Sequence, residues 1–203
     1  MGVTEILVEY AIQIIDAIGY VGVFLLMTLE SMVAPIPSEA VMPFAGFLIS
    51  DGTLSWMGVL LVSSAGSLLG SVLSYYIGKY LGNAFVIRYG KYLLLNEEHL
   101  LATENFFAKH GPWSVFVCRF IPVVRHFISI PAGIANMNIG AFVLYTLVGA
   151  TGWNMFLTYV GFALRDNWTT IQQYTHVLDI LVVLGVVCVG VYFVYSQLRK
   201  KKI

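Results

Sequence analysis

An all-α integral membrane protein is predicted from three observations. The chain is strongly apolar, its charges are confined to a few places, and prolines cut its hydrophobic runs to about half a bilayer. The expected architecture is an inverted repeat of two re-entrant helical hairpins, each followed by a transmembrane helix, plus a C-terminal transmembrane helix. Of 203 residues, 59% are hydrophobic and 11% charged, against about a quarter charged in soluble domains. Mean hydropathy is +0.83. So little polar surface cannot coat a water-soluble globule. Acids and bases balance at eleven each, so there is no bulk positive field to attract nucleic acid. Cys118 and Cys188 both lie in apolar runs and read as small hydrophobes, not as a disulfide framework.

Residues 1–19 form an N-terminal amphipathic helix. In "TEILVEYAIQIIDAI", Glu5, Glu9, Gln13 and Asp16 share one helical face, as suits a helix lying in the membrane interface. Its acids also argue against a cleavable signal, which needs a basic start. Residues 20–82 are the first repeat. Val21–Val33 is apolar but gives only about 20 Å of helix, short of the ~30 Å hydrocarbon core. Pro35 and Pro37 stop it, and "SEAVMPFAGFLI" restarts it with Ser38 as the expected N-cap. A span follows over Leu54–Tyr76. There Gly66, Gly70, Ser74 and Gly78 recur every fourth residue beside a stripe of Ser63, Ser67 and Ser71. Small residues at this spacing let helix backbones approach closely in lipid. Packing within the chain is the simpler reading, a homodimer the alternative.

Residues 83–112 make a cytoplasmic amphipathic segment whose helix, "NEEHLLATENFFAKHG", ends at Gly111-Pro112. The second repeat, 113–165, has half-length helices at Trp113–Ile121, stopped by Pro122, and Val123–Ile130, stopped by Pro131. Its span is Gly140–Leu164. The remainder, 166–203, holds a final span at Val177–Gln197 and a basic tail.

Positive residues set orientation. The 79–112 segment carries four Lys or Arg, the C-terminus four, and the 165–176 loop one. The first two are therefore cytoplasmic and the third outside. The first hairpin then opens outward and the second inward, and the N-terminal helix stays unplaced. A sequence repeat agrees. "PFAGFLI" precedes a span ending in "YYIGKYLG", and "IPAGIAN" precedes one ending in "TYVGFALR". Broken helices of opposite orientation around a midplane site are the pattern of inverted-repeat transporters.

Four charges fall inside the hairpins: Glu30, Glu39, Arg119 and Arg125. Each costs about 2.5–3.5 kcal/mol at bilayer depth unless paired or wet. One reading is structural, with salt bridges that hold the hairpins together and Glu39 complementing a helix start. The other is functional. Four leucines would serve stability better, whereas two guanidiniums beside interrupted helices build an anion receptor, helped by free N–H groups at helix starts. Arg119 and Arg125 flank Pro122, so both can face one cavity only if the helix breaks there. The acids would hold the arginines when no ligand is bound. Burial favours a protonated carboxyl and a neighbouring arginine an ionised one, so either acid can couple the site to protons. His126 is a further proton relay or a packing residue. Ser129, Asn136 and Asn154 can bond across helices or to a head group. Trp56, Trp113 and Trp153 suit interfacial belts. Asp51 precedes a glycine and reads as a turn.

The stretches "ESMVAPIPSEAVMPFAG", "FFAKHG", "RFIPVVR", "SIPAG" and "GATGW" resemble the DedA family of bacterial membrane proteins, related to the VTT-domain lipid scramblases. The likeness spans roughly residues 20 to 165. It implies movement of undecaprenyl phosphate, or of other phospholipids, across the bacterial plasma membrane, coupled to protons and serving the cell envelope. It also implies that Glu39, Asp51, Arg119 and Arg125 are site residues, with Glu30 in the same motif, and so promotes Asp51 from turn to site. The expected partners are a lipid phosphate, protons and membrane lipid, with Arg119, Arg125 and Ser129 on the substrate. The expected protein is multi-pass, needs no cofactor or metal, and is not an enzyme. The alternatives are a broader phospholipid scramblase, a proton-linked ion transporter, a lipid phosphatase, and a structural subunit.

Overall fold

The computed structural model describes residues 3–32, 37–93, 107 and 111–164, and these form eight α-helices with no strand among them. Met1–Arg165 is one compact unit, and the expected C-terminal span lies in a second unit outside the described residues. So do most of the amphipathic segment before Gly111 and the first hairpin's tip. Helix α1 is Val3–Ile18, α2 Tyr20–Ser31, α3 Ser38–Ser50 and α4 Trp56–Leu93. Then come α5 at Trp113–Cys118, α6 at Pro122–Phe127, α7 at Ser129–Ile134 and α8 at Ile139–Leu164.

The amphipathic pattern of α1 buries Val8, Ala11 and Ile15 and leaves Tyr10 exposed. Gly19, at φ 55, turns the chain from α1 into α2. With 12 and 13 residues, α2 and α3 are each about 18–20 Å long and too short to span. Among the described residues, two helices are long and apolar enough to cross a membrane, Trp56–Leu81 within α4 and all of α8. The small-residue stripe of α4 is covered inside the chain. A Cβ on Gly70 would strike the Thr28 carbonyl of α2, and the Ser74 hydroxyl donates to the Ser31 carbonyl at 3.1 Å.

Two close crossings repeat one pattern. Where α3 meets α8, a Cβ on Gly46 would strike the Thr158 carbonyl, and one on Gly161 the Pro43 carbonyl. Where α7 meets α4, a Cβ on Gly133 would strike the Tyr75 carbonyl, and one on Gly78 the Ile130 carbonyl. Each glycine of an Ala-Gly pair thus meets the carbonyl three residues before a glycine of the long helix from the other half. Glycine is required at all four positions because backbone touches backbone.

Several boundaries differ from expectation. Pro37, not Ser38, occupies the cap of α3, with no side-chain cap bond. Pro131 does not stop a helix but lies within α7. Its missing N–H cannot reach the Phe127 carbonyl, and the helix is instead interrupted at Ile128. The span expected over Leu54–Tyr76 belongs to a helix that continues to Leu93. Gly111, at φ 65, donates its N–H to the Phe107 carbonyl at 2.8 Å and ends a helical turn where expected. Phe107 itself packs with Tyr75, Val115, Ala132 and Phe142 in the core of the second half.

Candidate functional site

Proline makes the site possible. Ile121 adopts extended backbone, φ −102 and ψ 110, so that α6 starts afresh at Pro122. The break separates Arg119 from Arg125 in direction while keeping both buried, at 5% and 6% exposure. The last turn of α2 brings Glu30 to them, 2% exposed, and the first turn of α3 brings Ser38 and Glu39. Helix α7 adds Ser129, α4 adds Ser71, and α8 adds Thr146 and Trp153.

The arginines are held differently. The Arg125 Nη2 donates to Glu30 Oε1 and to Ser38 Oγ, and reaches Glu39 Oε1 at 3.3 Å. The Ser31 hydroxyl donates to the other Glu30 oxygen at 3.3 Å. His126 Nδ1 lies 3.6 Å from Glu30 Oε1. The Arg125 guanidinium carbon sits 5.5 Å from the centre of the Trp153 ring, within cation–π range. Arg125 is thus a buried cation between two carboxylates.

Arg119 has no carboxylate partner among the described residues. Its Nη2 donates to Ser71 Oγ at 2.9 Å, Ser129 Oγ at 3.1 Å and Thr146 Oγ1 at 3.3 Å. Its Nη1 donates to the Arg125 carbonyl at 3.4 Å. Ser71 gives its own proton to the Ser67 carbonyl at 2.6 Å, which leaves its lone pairs for the guanidinium. The cradle is neutral oxygen throughout. Three buried N–H groups have no hydrogen-bond partner among the described residues: Arg119 Nε, Arg125 Nε and Trp153 Nε1. All are donors. Buried polar groups are normally satisfied, so a cluster of orphan donors beside two cations suits a ligand that brings several acceptor oxygens.

These orphan donors are side-chain groups. Of the expected free N–H groups at helix starts, α6 lacks one at its first position because it begins on a proline, and the start of α3 carries no side-chain cap bond. The structure brings together Glu30, Glu39, Arg119, Arg125, Ser129 and His126. It does not bring Asp51. That residue caps the C-terminus of α3, exposed, with its carboxylate accepting from Thr53 Oγ1 at 3.4 Å. A helix of this length sets it about 18 Å from Ser38. Asn136 is exposed in a turn, and Asn154 donates to Ser67 Oγ at 3.3 Å, joining α8 to α4. Trp153 is no interfacial belt residue, because it lies mid-helix against Arg125. Sequence reasoning also missed Ser38, Ser71 and Thr146 as arginine partners. The serine stripe of α4 was the available signal for Ser71. Nothing local marks Thr146.

Comparison with known proteins adds a second line of argument. The VTT domain model matches residues 36–163. Undecaprenyl phosphate transporter A of Bacillus subtilis (strain 168) is 36% identical over 181 residues, which cover 88% of this chain and 89% of that protein. The protein of the same name from Staphylococcus aureus is 31% identical over 198 residues, 94% and 96% of the two chains. An alkaline phosphatase-like protein of Lactococcus lactis subsp. lactis is 36% identical over 195 residues, 94% and 90%. No solved structure matches the chain.

Proposed function

This chain belongs to the VTT-domain family, the DedA membrane proteins, and from that premise we propose that it carries a lipid phosphate across the bacterial plasma membrane. Undecaprenyl phosphate is the substrate the relatives' names suggest. The observation that carries the reading is Arg119, a buried cation in a cradle of neutral oxygens with an unpartnered Nε. A phosphate oxygen supplies the charge that the cradle lacks. Arg125 then acts as a latch. It leaves Glu30 and Glu39 for the head group when a carboxylate takes up a proton, and returns on release. Glu39 is the carboxylate placed to exchange a proton with water, since its side chain is 22% exposed against 3% for Glu30. Asp51, at the far end of α3, serves the proton path and not the head group.

The two equivalent helix crossings support an inverted repeat in which each re-entrant hairpin packs on the other half's span. By the charge rule the C-terminus is cytoplasmic and the first hairpin opens outward, and in this reading the lipid phosphate enters on the outer side and leaves inward. The reading is of a carrier and not an enzyme. Liposomes reconstituted with the full chain should translocate undecaprenyl phosphate, faster with a proton gradient, and release no inorganic phosphate from it. Arg119→Gln should reduce translocation at least about 100-fold, the scale of losing one charge-assisted phosphate contact. Normal transport by that variant, still folded, would end the proposal, and phosphate release would favour the phosphatase that the Lactococcus relative's name suggests.

A further inference from the structure

The head-group reading leaves the lipid's tail unassigned. Resting on that reading, we propose that an aromatic row, Trp113–Phe116–Phe120–Trp153–Phe156, is the track for the tail and selects a methyl-branched, unsaturated polyprenyl chain over a straight acyl chain. The rings touch in sequence. Centroid separations are 4.7 Å from Trp113 to Phe116, 5.2 Å to Phe120, 6.4 Å to Trp153 and 5.9 Å to Phe156. Three of them face outward: Trp113 is 57% exposed, Phe120 42% and Phe156 56%.

The row turns edge to face as it passes from α5 to α8, Phe116 meeting Phe120 at 69° and Phe120 meeting Trp153 at 82°, and two glycines of α8 lie beneath it. A Cβ at Gly149 would sit 3.5 Å from the Phe116 ring and 3.0 Å from the Arg119 stem, and one at Gly152 would sit 3.7 Å from the Phe120 ring. Without side chains there, the rings of α5 and its following turn settle onto α8. The row is also continuous with the charged cluster. Trp153 is at once a member of the row, the ring under the Arg125 guanidinium at 5.5 Å, and the bearer of a buried, unpartnered indole N–H. A molecule whose phosphate meets the orphan donors therefore has its chain leaving along these rings.

The composition of the face points to the kind of chain. The outward face of α2 is aliphatic, with Val21, Leu25 and Leu29 exposed, and α4 exposes Met57, Leu61, Leu69 and Leu73. An aliphatic face resembles the lipid around it, so exchanging one tail for another there gains little. Aromatic rings differ. Their faces and edges make polarisable contacts with the double bonds and methyl branches of an isoprenoid, and a saturated straight chain has neither group to offer.

The test uses the full chain in nanodiscs with three probes: undecaprenyl phosphate, a straight-chain alkyl phosphate of similar length, and butyl phosphate as a short head-group probe without double bonds or branches. The wild type should prefer undecaprenyl over straight-chain phosphate by about tenfold, the scale of one or two aromatic contacts. Phe116→Leu with Phe120→Leu should erase that preference and leave butyl phosphate binding unchanged. Leu61→Ala with Leu69→Ala on α4 should leave it intact. A preference that survives loss of both rings overturns the track. Failure of butyl phosphate to bind the wild type overturns the head-group reading instead, whatever the tail preference. Should the double variant misfold, photolabelling of the wild type with a diazirine-bearing undecaprenyl phosphate decides. Label on α5 and α8 supports the track. Label on α2 and α4, or on residues 177–197 lying over the row, overturns it.

Discussion

Arg119 and Arg125 are six residues apart, equally buried, and held by opposite chemistry. Arg125 is gripped by Glu30 and Glu39, while Arg119 rests on Ser71, Ser129 and Thr146. A cation between carboxylates is satisfied and has little need of a ligand. A cation among hydroxyls is solvated but not neutralised, and this is the state that an incoming anion improves. Equal spacing and equal residue type hide that division of labour. Removing one member of a buried ion pair strands the other, whereas removing a buried cation without an anionic partner strands nothing charged. The two arginines should therefore respond oppositely to mutation.

The largest effect is expected at Arg125. Arg125→Gln leaves Glu30 buried and unpaired and should cost about 3–5 kcal/mol of stability, read as a lowered Tm in detergent. Arg119→Gln keeps hydrogen bonds to the cradle and should leave stability unchanged or raise it by about 1 kcal/mol, despite abolishing transport. Equal losses of Tm in both variants would erase the distinction. Double-mutant cycles sharpen it further. The Glu30–Arg125 coupling, between groups 3% and 7% exposed, should reach about 3 kcal/mol, and Glu39–Arg125, with Glu39 22% exposed, about 1 kcal/mol. A stronger Glu39 coupling would make Glu39 the anchor and Glu30 the proton acceptor. Next comes the pair of helix crossings. Gly46→Ala and Gly133→Ala should each cost about 1–3 kcal/mol through overpacking, and by similar amounts because they strike equivalent carbonyls. The smallest effect belongs to Asp51. Asp51→Asn, exposed at the end of α3, should move stability by less than about 0.5 kcal/mol and leave butyl phosphate affinity intact. Lost affinity would put Asp51 in the head-group site.

Much of this was legible before any fold was drawn. The prolines at 35, 37 and 122 marked where helices break, because proline lacks an N–H and crowds the preceding turn. The four charges in apolar half-helices could be read as meeting one another, because each is costly at that depth unless paired or wet. The Ala-Gly pairs at Gly46 and Gly133 were visible as a repeat, but not as points of backbone contact. Pro131 misled in one respect, since a proline can sit inside a helix when packing restores what the missing bond removes.

Which side chains would be buried charges, and where the backbone must turn, follow from residue chemistry that acts within a few positions of the chain, and the sequence alone determines them. Which carboxylate meets which arginine does not. Glu30 and Arg125 are 95 positions apart, Ser71 and Arg119 are 48, and no local preference distinguishes one pairing from the other. The tertiary structure decided it, because the crossings of α2, α3, α4 and α8 leave both acids within reach of Arg125 and only neutral oxygens bonded to Arg119.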